Sequence, residues 1–125
     1  MKRYKYVAST LLAIGFICIC LTACGTSIPN QVHMSTTNFV QSSITINKGE
    51  SITLIDDDQS AIHTIDNGRW LDSTQIPDNE PGAPIAQDIQ VTSNTNGTIG
   101  PFNKAGTFHY YCTIHTGMNL TVIVK

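Results

Sequence analysis

Near the end of the chain, Cys112, His115 and Met118 stand at the spacing C-x2-H-x2-M in the run Cys112-Thr113-Ile114-His115-Thr116-Gly117-Met118. A thiolate, an imidazole and a thioether are thereby placed on one short loop. Soft sulfur together with ring nitrogen suits copper, whereas calcium and magnesium want oxygen ligands. Two imidazoles and a thiolate around the metal, with a long thioether contact, make an electron-transfer arrangement. The loop supplies one imidazole, so a second must come from elsewhere in the chain.

The segments that flank the loop read as strands. Thr107-Phe108-His109-Tyr110-Tyr111 leads in and Leu120-Thr121-Val122-Ile123-Val124 leads out. Upstream, Phe39, Val40, Ile44 and Ile46 are interleaved with Ser, Thr and Asn, and Ser51-Ile52-Thr53-Leu54-Ile55 alternates with period two. Asn47-Lys48-Gly49-Glu50 is a turn signal between them. Asp56-Asp57-Asp58 could suggest a hard-metal site but reads as a solvated loop. Ala61-Ile62-His63-Thr64-Ile65 resumes strand character and carries the first His of the folded part. Residues 67–86 are rich in turns, with Trp70 and Leu71 as an isolated apolar anchor and room for some helix over 71–76. Ile85 to Thr92 and Thr98 to Phe102 supply further extended pieces. The pattern of seven to eight short, closely spaced strands predicts an all-β, antiparallel two-sheet sandwich of Greek-key type. His109 stands three residues before Cys112, an odd offset that turns it to the opposite strand face.

The first 23 of the 125 residues read as a secretory signal. Lys2, Arg3 and Lys5 precede an apolar run from Val7 to Leu21, about 15 residues, and a membrane-spanning helix needs roughly 20. Leu21-Thr22-Ala23-Cys24 resembles a bacterial lipobox, which implies a lipidated Cys24 as the first mature residue. Residues 24–35, polar and carrying Pro29, then read as a flexible tether, with His33 and Met34 as tail residues or a weak second copper site. Residues 36–125 form the expected domain. Beyond the signal, Lys48, Arg69, Lys104 and Lys125 face nine carboxylates, leaving about five net negative charges. That balance argues against nucleic acid as a partner. Cys18 and Cys20 leave with the signal, so Cys112 is the one thiol of the mature domain and has no disulfide partner. A free thiol in an oxidising compartment is a liability unless something holds it, and a metal would.

Gly106-Thr107-Phe108-His109-Tyr110-Tyr111-Cys112-Thr113-Ile114-His115-Thr116-Gly117-Met118 resembles the closing segment of the cupredoxins, the small blue copper proteins such as plastocyanin and amicyanin. The short loop is similar to the amicyanin form. Ile46 to Leu54 is similar to the strand-turn-strand that precedes the family's first ligand, and the likeness spans Thr36 to Lys125. The resemblance implies a cupredoxin-like fold and one copper ion, Cu(I)/Cu(II). It also implies His63, Cys112 and His115 as the trigonal ligands and Met118 as the weak axial one. Two departures stand out. Thr64 follows the first His where better-known members carry Asn, and its hydroxyl would pair with Thr113. Ile114 replaces a Pro, and so keeps an N–H that could reach the Cys112 sulfur.

These readings combine into an expected function. The protein would carry single electrons while tethered by lipid to the extracytoplasmic face of a bacterial membrane. It would be a monomer and not an enzyme, with redox partners of cytochrome, reductase or terminal oxidase type. A copper chaperone or storage protein is the competing expectation.

Overall fold

The computed structural model describes residues 30–125. The expected signal peptide, Cys24 and the first part of the expected tether lie outside the described residues. Nine strands follow in chain order: β1 (Gln31–Met34), β2 (Ser43–Ile46), β3 (Ile52–Asp56), β4 (Ile62–Leu71), β5 (Thr74–Pro77), β6 (Ile89–Thr92), β7 (Gly97–Ile99), β8 (Gly106–Cys112) and β9 (Asn119–Val124). They form a three-stranded sheet of order β1-β3-β7 and a six-stranded sheet of order β2-β9-β8-β4-β5, with β6 paired to β4. One buried cluster draws Val32, Leu54 and Ile99 from the first sheet and Ile65, Tyr110 and Leu120 from the second. The two sheets therefore close over a common core, as the period-two pattern requires.

Alternation decides what points inward. In β9, Leu120, Val122 and Val124 are buried while Asn119, Thr121 and Ile123 are half-exposed. In β8, Phe108, Tyr110 and Cys112 share the core phase, and β8 is held antiparallel to β9 from Gly106↔Val124 to Tyr111↔Asn119. In β4, the buried phase runs through His63, Ile65 and Asn67. The register Ile65↔Cys112 between β4 and β8 then sets His63 and Cys112 near one end of the same sheet. In β3, Ile52, Leu54 and Asp56 are the buried positions, so a carboxylate inherits the phase of two aliphatic residues.

Four sequence expectations are corrected. The sheets are mixed rather than purely antiparallel, since β1 pairs with β3 and β2 with β9 in parallel. The described residues form nine strands rather than seven or eight. No helix forms over 71–76. Instead β4 and β5 make a hairpin in which Gly68 lies opposite Pro77, with φ +121 and no room for a Cβ against the β5 backbone. Residues 31–34, expected in a tether, are strand β1. Val32 and Met34 are wholly buried, because their neighbours on β3 offer both ladder hydrogen bonds and core space. The expected boundary at residue 36 thus falls after the first strand of the domain.

Candidate metal centre

Two elements deliver the site. β4 contributes His63, fully buried on its core phase. The end of β8 contributes Cys112, and the turn between β8 and β9 contributes His115 and Met118. Cys112 and Met118 are buried and His115 is half-exposed. One ligand atom each from His63, Cys112 and His115 lies within 4.8 Å of the other two. Cys112 Sγ stands 3.5 Å from His115 Nδ1, and the His63 and His115 ring centroids are 4.9 Å apart with the rings tilted by 57°.

Hydrogen bonds hold the loop in this shape. The Cys112 N–H donates to the Met118 carbonyl at 3.0 Å, and the Met118 N–H donates to the His115 carbonyl at 3.2 Å. Gly117, at φ +80, takes the left-handed conformation that closes the turn. The Thr113 N–H donates to the Thr64 carbonyl at 2.8 Å, tying the ligand loop to the strand that carries His63. The Thr113 hydroxyl reaches the same carbonyl at 3.4 Å. The link expected from the Thr64 hydroxyl is thus made by the Thr64 backbone, which any residue at that position could supply. From the other side, Trp70 Nε1–H donates to the Cys112 carbonyl at 2.8 Å and Gln75 Nε2 donates to the Thr113 carbonyl at 2.9 Å. Asn119 secures Trp70 in turn, accepting from its N–H at 2.7 Å and donating to its carbonyl at 3.1 Å. Among the described hydrogen bonds, none joins the Ile114 N–H to Cys112 Sγ, so the contact expected from that N–H is not made.

The residues fit a soft metal. Both ring nitrogens of His63 are buried without a hydrogen-bond partner, an arrangement that costs free energy unless something else engages them. Burial pushes the His63 pKa below its ordinary value, with nearby Asp56 opposing, so the ring is held in the neutral form that can ligate. Cys112 is the free cysteine among the described residues and is likewise buried. Thiolate, two imidazoles and thioether are the donor set of a type 1 copper site.

The structure also places the residues around that site. His109 faces away from Cys112, as its offset requires, and Nδ1 meets Glu80 at 2.6 Å. His33 is turned outward, its Nδ1 2.9 Å from Asp57. Asp56 and Trp70 were missed as site residues. For Asp56 the signal was present, since it continues the Ile52, Leu54 alternation. For Trp70 there was none, because its partner lies 42 positions away.

The family profile described as "Copper binding proteins, plastocyanin/azurin family" matches residues 26–125. A search of curated protein sequences finds no match. Among solved structures, amicyanin from Paracoccus versutus (Thiobacillus versutus) is similar at TM-score 0.56 and 20% identity, over 79% of this chain and 83% of that one. The reduced state of an amicyanin mutant is similar at TM-score 0.55 and 18% identity, over 77% and 81%. With the fold, the donor set and the profile in agreement, the chain belongs to the plastocyanin/azurin family of copper-binding, electron-transferring proteins.

Proposed function

We propose that this protein is a membrane-tethered carrier of single electrons. His63, Cys112 and His115 are the equatorial copper ligands, Met118 is the axial one, and lipidated Cys24 is the anchor. The observation that carries the reading is a site assembled and hydrogen-bonded into place around a thiol that has no disulfide partner. Bound copper supplies the one-electron couple. The protein's part is to hold the ligands in one arrangement that serves both oxidation states, so that little has to move on transfer. The Cys112 side chain is buried, which keeps water from the thiolate. His115 is half-exposed between exposed Ile114 and Thr116, and so offers the ligand edge nearest to a docking partner.

The partners of this reading are extracytoplasmic redox proteins of cytochrome, reductase or terminal-oxidase type, met by a domain that shuttles from its anchor. No paired acid and base or activated nucleophile suggested catalysis in the sequence, and the reading is of a carrier rather than an enzyme. The chaperone or storage alternative leaned on an exposed His33 and Met34. Met34 is wholly buried and His33 is engaged by Asp57, so that support is gone.

Fractionation tests the tether. A Cys24→Ser variant is expected to move from the membrane fraction to the soluble extracytoplasmic fraction with its copper site intact. Retention of the variant in the membrane fraction would contradict the anchor.

A further inference from the structure

Asp56, Asp57 and Asp58 are consecutive, but they face three different surroundings. Asp57 turns outward to His33. Asp58 accepts from the Thr36 and Ser60 hydroxyls at the surface. Asp56 alone continues the inward phase of β3, and its side chain is 0% exposed. Its Oδ1 accepts from the Asp58 N–H at 2.9 Å, and its Oδ2 has no partner. Across the sandwich, Oδ1 stands 3.7 Å from Nε2 of His63, whose side chain is also 0% exposed. That separation is longer than a hydrogen bond. A carboxylate withdrawn from water with an unused lone pair is costly unless a donor completes it. An imidazole that gives one nitrogen to a metal needs an acceptor for the N–H on the other. The Ser35 carbonyl also favours the charged ring, but it makes no hydrogen bond of good geometry with either nitrogen.

We propose that Asp56 is the positioning residue of this copper site. Its carboxylate accepts the Nε2–H of His63, leaves Nδ1 for the metal beside Cys112 and His115, and through its negative charge favours Cu(II) over Cu(I). The assignment rests on the copper-site reading above. It reaches beyond the ligand set to a residue from the opposite sheet, so that β3 as well as β4 and the β8–β9 loop shapes the site.

Two substitutions in the copper-loaded protein separate charge from hydrogen bonding. Asp56→Asn keeps the shape and an acceptor and removes the charge. Its blue absorption is expected to persist while the Cu(I)/Cu(II) ratio at a fixed applied potential rises about tenfold, an upward shift of about 59 mV for one electron. Asp56→Leu also removes the acceptor. In its Cu(I) form, 15N-resolved NMR is expected to show the Nε2–H proton of His63 shifted upfield as its hydrogen bond is lost, and copper affinity is expected to fall about 10–100-fold. An unchanged potential in Asp56→Asn, or an unchanged Nε2–H resonance of His63 in a folded Asp56→Leu, overturns the proposal and leaves His63 to the Ser35 carbonyl. If Asp56→Leu does not fold, the potential of Asp56→Asn decides alone. Absence of blue absorption in the unsubstituted protein would overturn the copper-site reading itself, and this inference with it.

Discussion

At the scale of single residues, His63 carries the largest conflict between burial and polarity. Its imidazole is sealed in the core with neither nitrogen paired, and burial holds its pKa below the usual 6.5. A base whose pKa is depressed on folding binds more protons in the unfolded state as the pH falls. The stability it permits is therefore present above the unfolded pKa of about 6.5 and is lost as the pH drops toward the folded value. The metal-free protein is expected to lose denaturation midpoint steadily below about pH 6.5, and a His63→Gln variant to show a flatter profile over that range. Equal slopes in the two proteins would assign the effect elsewhere. The ligand residues themselves were legible in sequence, because a loop of fixed spacing between two alternating strands leaves its side chains few directions. Asp56 was not read, although its phase was visible. Three adjacent acids look solvated, and only the opposing sheet shows that one of them is enclosed.

At the scale of elements, β1 changes the account most. Four residues that read as tail are a strand in parallel register with β3 from Gln31↔Thr53 to Met34↔Asp56. The Asp57 N–H also donates to the Met34 carbonyl at 3.0 Å, so β1 braces the very end of β3 that presents Asp56. Full burial of Val32 and Met34 is worth about 1.5–3 kcal/mol each, a large share of the roughly 5–15 kcal/mol that keeps a domain folded. A fragment starting at Thr36 is expected to lose about 3–6 kcal/mol by denaturant titration relative to one starting at Asn30. Equal midpoints would return residues 31–34 to the tether. The four-residue length of β1 explains why alternation did not reveal it, since two apolar residues after a polar stretch make no period. The longer β8 and β9 patterns were readable for the opposite reason. The β4–β5 hairpin escaped notice because its packing is non-local: Trp70 and Gln75 matter through hydrogen bonds to Cys112 and Thr113, far along the chain.

At the scale of the whole molecule, two mixed sheets bring ligands from residue 63 and residues 112–118 to one place. Fold class was legible from strand length and turn spacing. The parallel pairings were not, because strand partnership depends on contacts that local sequence does not encode. The acidic balance of residues 24–125 favours encounter with basic partner surfaces over acidic ones. The half-exposed His115 sets where such an encounter would exchange an electron. All of this depends on Cys112 thiolate bound to copper in the company of two imidazoles. The most direct measurement is the visible spectrum of the Cu(II)-loaded protein before and after reduction with ascorbate, alongside a Cys112→Ser variant. An intense blue thiolate-to-copper band that bleaches on reduction, returns on oxidation and is absent from Cys112→Ser is the predicted result. A colourless or weakly absorbing copper complex in the unsubstituted protein, or a band that survives Cys112→Ser, would contradict the site described.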